Sequence, residues 1–344
     1  MLLFFDSFDH YTEGRLTDKW NTKFGLTVPF GGGPTVTAAA ARVGQGLRLG
    51  LGAQCTKSLP DTQTFICGFA LKIENTLGDR RICYVRDEAT IQLYLRISAT
   101  GKIFVHQGNG TVLGISSRSL TVGKWNYIEF KATISHTVGS FELRINRTFQ
   151  GSGTLLDTQL STNQYMNNFG FGEATISTSY INVDDLYICD TTGTRNNNFL
   201  GIQAADAVFP RANGLYSEWN LFGAGSAFSA VNEHTSDADT SYRYRNDGLA
   251  LADVFFFDPV RETPGGVAGV AYSVHARKLY GNNTSFTPYT RPGTFDGASG
   301  GTNYTGDRLY LETEYAYHQY LMEMNPAAGT WTAKAINATQ FGVK

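Results

Sequence analysis

Apolar and polar side chains alternate with a period of two through one segment after another between residues 64 and 190, and no other feature of the sequence restricts the fold as strongly. Successive side chains of a β-strand point to opposite faces, so this pattern belongs to half-buried strands and not to helices. TIQLYLRI (90–97) sets Ile91, Leu93, Leu95 and Ile97 against Gln92, Tyr94 and Arg96. KWNYIEFKATI (124–134) places Asn126 with Ile128, Phe130, Ala132 and Ile134, and turns Trp125, Tyr127, Glu129 and Lys131 outward. SFELRIN (140–146) points Phe141, Leu143 and Ile145 inward, TFICGFALKI (64–73) is nearly continuous in apolar residues, and YINVDDLYICD (180–190) closes the series. Glycines and Asn/Ser clusters separate these runs at intervals typical of an antiparallel sandwich. The fold class expected is all-β.

A chain of 344 residues has room for about two domains. ICDTTGTRNNNFLG (188–201) is polar and almost uncharged, and it predicts a linker at 193–200 between domains at 1–192 and 201–344. Strand material resumes at 205–211, 252–260, 266–279, 306–316 and 330–344, which predicts a second β-sandwich. With 28 basic against 30 acidic residues, the chain lacks the basic excess of a nucleic-acid-coating protein. No stretch approaches the roughly 20 apolar residues that span a bilayer. The start, MLLFFDSFDH, has no basic segment before its apolar run, so synthesis without export is expected. Cys55, Cys67, Cys83 and Cys189 show no CxxC spacing and no neighbouring histidine, which argues against zinc. Buried free thiols are expected, with a disulfide pair as the alternative.

GKWNYIEFKATISHTVGSFELRIN (123–146) opens a strand on Gly-Lys-Trp, passes a Gly-containing loop and ends the next strand on Asn. It resembles the central hairpin of the laminin-G and concanavalin A-like lectin/glucanase jelly roll. In that family Asn-Gly or Asp-Gly usually follows the second strand; Asn146-Arg147 stands there in this chain, without the glycine. FFDSFDHYTEGRLTDKW (4–20) and INVDDLYICDTTG (181–193) resemble the two ends of such a sandwich, where first and last strands commonly lie side by side. Taken with FPRANGLYSEW (209–219) and the terminal NATQFGVK, these motifs resemble a group of tailed-bacteriophage virion proteins over nearly the whole chain. The resemblance implies a particle component with a lectin-like N-terminal jelly-roll domain, assembled in the host cytoplasm, where thiols stay reduced.

The jelly roll also raises glycoside hydrolysis, which needs two carboxylates about 5–5.5 Å apart for retention. The ExDxxE pattern of laminarinase-type relatives is missing, and Asp184 and Asp185, being adjacent, point to opposite faces of a strand. Glu129 and Glu142, among Lys131 and Arg144, suit cross-strand ion pairs on a solvated face. The expectation is no catalytic residue and no enzyme. Six histidines show no HxH or HExxH spacing. Calcium is the metal that Asp184, Asp185 and Asp190 at the last strand, with Asp6 and Asp9 at the first, would suit if those strands pair; the same residues also cap turns. Candidate glycan contacts are Tyr94, Arg96, Trp125 and Tyr127, read as one outward sheet face. In the second domain they are Tyr289, within NNTSFTPYTR (282–291), and Tyr304.

The function expected is a bacteriophage virion structural protein, tail or tail-tip associated, whose lectin-like domain contacts host surface polysaccharide weakly, without catalysis and through many copies. A capsid decoration or head-fibre protein is one alternative, and a glycan-processing enzyme the other. The expected partners are other virion proteins and host polysaccharide, with neither nucleic acid nor membrane insertion. A homo-oligomer of threefold or sixfold symmetry would suit a tail.

Overall fold

The computed structural model describes residues 1–24, 33–50, 52–173, 179–245, 251–260, 266–279, 284–293, 302–327 and 329–344. The fold is all-β, with 51% strand and 6% helix. Two compact units divide the chain, Met1–Ala205 and Asp206–Lys344, and the polar stretch 193–200 lies within the first. Among the described residues, no helix is long and apolar enough to cross a membrane.

The first unit packs two antiparallel sheets face to face. An eight-stranded sheet runs Thr148–Leu156, Gly139–Ile145, Trp125–Thr133, Thr64–Ile73, Ile181–Asp190, Gly46–Leu49 and Thr35–Thr37, with Leu2–Asp6 also paired to Ile181–Asp190. First and last strands thus lie side by side, Phe4 opposite Ile188 and Asp6 opposite Leu186. A seven-stranded sheet runs Val112–Ser119, Lys102–Gln107, Thr90–Ile97, Arg80–Asp87, Met166–Gly172, Gln54–Thr62 and Thr22–Phe24. The period-two apolar residues form the layer between them: Leu93, Leu95, Ile97, Ile128, Leu143 and Ile145 are all buried. Phe69 of one sheet meets Phe171 of the other edge-on, centroids 5.0 Å apart. All four cysteines are buried and free.

A buried carboxylate fastens the N-terminal end. Asp6 has no exposed surface. Its Oδ2 accepts the Tyr11 hydroxyl at 2.5 Å and Trp20 Nε1–H at 2.8 Å. Its Oδ1 accepts Lys19 Nζ–H at 2.9 Å and the Phe8 amide at 3.0 Å. The Trp20 ring then packs on Phe4, Phe8 and Phe171, joining the first strand to the sandwich core. The opening motif DSFDHY…KW is therefore a structural lock, and Asp6 is fully committed to it.

The hairpin after Ile145 turns on two left-handed residues, Asn146 (φ 52°) and Arg147 (φ 66°). Asn146 secures the turn: its Oδ1 accepts the Tyr127 amide at 2.7 Å, and its Nδ2 donates to Asn126 Oδ1 at 3.0 Å. That bonding lets a two-residue turn form without a glycine, at the cost of strain at Arg147.

One sequence expectation fails on this sheet. Tyr127 and Glu129 do alternate away from the core, yet the residues 199–205 cover them. Glu129 Oε1 accepts the Gly201 amide at 2.8 Å and the Tyr187 hydroxyl at 2.7 Å. The Tyr187 hydroxyl oxygen accepts the Leu200 amide, and Arg144 lies over the Phe199 ring. Arg144 pairs with Glu142 of its own strand at 2.6 Å, so the solvated cross-strand ladder is not what forms.

In the second unit a five-stranded sheet runs Pro210–Ser217, Asp253–Phe257, Thr339–Val343, Pro288–Pro292 and Tyr304–Thr305. A ribbon of Val270–Ala276 and Ala316–Met322 packs on it through Tyr272, Met322, Trp331 and Phe341. Residues 333–338, expected as strand, form a short helix: Thr332 Oγ1 caps it by accepting the Ala335 amide at 3.1 Å.

Two stability predictions follow from the lock and the turn. Asp6→Ala strands a buried ammonium and should lower unfolding free energy by about 3–5 kcal/mol in denaturant titration. Arg147→Gly should relieve the left-handed strain and raise stability by about 1 kcal/mol, or roughly 2–4 °C in melting temperature.

Candidate functional site

The outer face of the seven-stranded sheet carries a row that only strand register assembles. Gly170 stands opposite Thr56 on one side and Tyr84 on the other; Tyr84 is opposite Tyr94, and Tyr94 opposite His106. At a strand spacing of about 4.8 Å, five strands make the row about 19 Å long. Gly170 is the floor under Tyr84: a Cβ there would come within 2.3 Å of the ring. The Tyr84 hydroxyl donates to Gln54 Oε1 at 3.3 Å, and burial pushes its phenol up to about 12.

Tyr94 lies parallel to the His106 ring, 4.7 Å between centroids, and His106 stacks in turn on Phe104 at 5.9 Å. The Arg81 guanidinium lies 4.8 Å from the Tyr94 centroid and 5.6 Å from that of Tyr84, while Arg86 lies 4.4 Å from Tyr84. A register shift between Arg81 and Cys83 sends Ile82 into the core and leaves Arg81 opposite Arg96. Arg96 itself holds Asp79 through two bonds of 2.6 and 2.7 Å. The face therefore combines stacked rings with cations held over them, an arrangement that offers N–H donors and positive charge to hydroxyls and anions.

Of the residues expected to contact glycan, Tyr94 and Arg96 stand here. Trp125 and Tyr127 stand on the other sheet, so the four do not share one face. Trp125 is half-buried with Lys72 Nζ 5.0 Å from its ring, and Tyr127 is buried, its hydroxyl donating to the Asp185 carbonyl at 3.0 Å. In the second unit Tyr289 is a buried strand residue against Tyr216. Thr290, not Tyr289, is opposite Tyr304, so the two tyrosines face opposite sides of their sheet. Asn282 and Asn283 of the intervening loop lie outside the described residues. Sequence reading passed over Tyr84, Arg81, Arg86 and His106; the outward series of RRICYVRD (80–87) was the available signal.

The acidic candidates separate into two places. Asp185 Oδ2 accepts Arg42 Nη1–H at 2.7 Å, and its Oδ1 accepts the Ala205 amide at 2.8 Å. Asp184 accepts the amides of Arg42 and Asp185 at 2.7 and 2.8 Å. Asp190 instead holds the N-terminal ammonium at 2.9 Å together with Thr192. Among the described residues, no group of three His, Cys, Asp or Glu is placed to hold a metal.

No family model and no curated protein matches this chain. Solved structures similar to it include an endo-β-1,4-glucuronan lyase from the fungus Trichoderma reesei, 11% identical, covering 54% of this chain and 94% of that one with a TM-score of 0.37. Alginate lyase Aly36B is 14% identical over 55% of this chain and 96% of its own, TM-score 0.37. The binding domain of Paraclostridial Mosquitocidal Protein 1 is 13% identical over 48% and 43%, TM-score 0.36.

The expectation that the chain is no enzyme is corrected here, because polysaccharide lyases stand among its structural neighbours. That expectation rested on the missing carboxylate pair, which is a requirement of hydrolysis. Eliminative cleavage of a sugar acid calls instead for a base and a cation to hold the carboxylate, and a missing Glu/Asp pair has no bearing on it.

The paired acids generate a pH prediction. Burial first, and the Asp185 charge second, push the Asp184 carboxyl up to about 7 despite its two amide donors. A folded value above the ordinary 3.8 means that the folded chain keeps a proton the unfolded chain has released. Stability from this group is thus full below about pH 4 and declines as pH rises to about 7. Asp184→Asn should flatten that decline in urea titrations run across the window; an unchanged slope would contradict the assignment.

Proposed function

We propose that this chain is a structural component of a tailed-bacteriophage particle, tail or tail-tip associated and assembled in the host cytoplasm. Its first unit contacts host surface polysaccharide through the outer face of the seven-stranded sheet. The virion part of this reading is supported by the motifs at 4–20, 181–193, 209–219 and 337–344. The contact part is carried by one observation, the registered row Thr56–Gly170–Tyr84–Tyr94–His106 with Arg81 and Arg86 over its rings. Copies repeated on one particle would multiply a weak contact into firm adhesion.

Two measurements test it. On an array of envelope polysaccharides the full chain should be retained by at least one glycan class. His106→Ala should weaken retention about tenfold, the usual cost of one good polar or stacking contact, whereas Trp125→Ala on the other sheet should leave it unchanged. Retention that survives His106→Ala but fails with Trp125→Ala would move the contact to the wrong sheet for this reading. Imaging of labelled particles should find the chain at the tail; particles without it would remove the virion assignment.

A further inference from the structure

We infer that the polysaccharide taken by this face is acidic, with carboxylates on its sugar rings, and that Arg81 and Arg86 receive them; the inference rests on the contact face proposed above. The rings of the row are not bare. Tyr84 is 1% exposed and Tyr94 7%, with His106 and the two guanidiniums lying on them. A neutral sugar that stacks needs an open ring face, whereas this row presents guanidinium edges above tyrosine.

The two arginines are also unspent. Arg48, Arg96, Arg144, Arg243 and Arg277 each hold a carboxylate. Arg81 and Arg86 make no ion pair among the described residues, and the Nε of each is buried without a partner. A buried donor lacking an acceptor weighs against the fold until an acceptor arrives. Stacking on a ring leaves the guanidinium's in-plane N–H groups free, in the fork geometry that fits a carboxylate. Glu173 is the acid whose charge acts most on Arg81, but it is buried and forms no ion pair with it. Asn168, opposite Arg86, adds a buried Oδ1 without a partner, an acceptor for a sugar hydroxyl next to the cation. Both guanidiniums lie within 5.6 Å of the Tyr84 centroid, so they act on one short stretch of polymer.

The test is affinity electrophoresis of the full chain through gels carrying polyglucuronate or the same polymer with its carboxyls reduced to alcohols. Polyglucuronate should bind about tenfold tighter or more. Arg81→Gln with Arg86→Gln should bring its affinity down to that of the reduced polymer, while Arg118→Gln with Arg308→Gln, the same loss of two charges at exposed sites, should not. If the double variant fails to melt cooperatively, Arg81→Lys and Arg86→Lys keep the charge and lose the fork, and each should weaken polyglucuronate binding severalfold. Equal binding of both polymers, or full affinity in the variants, would overturn the inference and leave the contact face standing. Failure to bind either polymer would overturn the inference, and the contact face falls only if the polysaccharide array also retains nothing.

Discussion

A single carboxylate with nowhere to go holds the first unit together. Asp6 lies in the interior with Tyr11, Lys19, Trp20 and the Phe8 amide as its donors. Burial works to raise its pKa, but the Lys19 and His10 charges and the Tyr11 bond outweigh that, and the carboxyl stays below its ordinary value. An ion pair this deep contributes little net stability compared with apolar packing, yet losing either partner is severe. Its consequence is positional. Asp6 and the Tyr11 hydroxyl both accept the Trp20 indole N–H while its ring seats on Phe4, Phe8 and Phe171, so the first strand and the core are joined through Trp20. The ammonium of Lys19 also reaches the neighbouring Lys57, which burial and that like charge bring down to about 8.

The same sandwich treats its two outer faces differently. On the eight-stranded sheet, Tyr187 lies over Gly68, and residues 199–205 complete the cover by binding Glu129 and Asp185. Among the described residues, Glu129 Oε2 and Asn182 Oδ1 are the buried side-chain atoms of that sheet left without a partner. On the seven-stranded sheet, Tyr84 lies over Gly170 in the same manner, but its covering groups are Arg81 and Arg86, which form no ion pair among the described residues. One face has been closed with internal partners. The other retains donors and cations for a ligand.

Strand existence in the first unit was legible because alternation reports a half-buried strand residue by residue, as at Leu93, Leu95 and Ile97. What covers an outward residue was not, since Glu129 is enclosed by residues about seventy positions further on. Register posed the same difficulty for the site: Tyr84, Tyr94 and His106 meet only because three strands pair in one alignment, and a bulge at Ile82 redirects Arg81. Tyr94 and Arg96 were visible from local pattern, while their partners were scattered. In the second unit, short strands and the helix at 333–338 blurred the period, because a six-residue helix capped by Thr332 carries too few turns to leave a signature.

A crystal structure of the full chain with a bound oligoglucuronide is the measurement that bears most directly on this account. The sugar should lie over the guanidiniums that cover Tyr84 and Tyr94, beside His106, with its carboxylates within hydrogen-bond distance of Arg81 and Arg86. A sugar seated instead beside Trp125 on the eight-stranded sheet, or in the second unit, would contradict it.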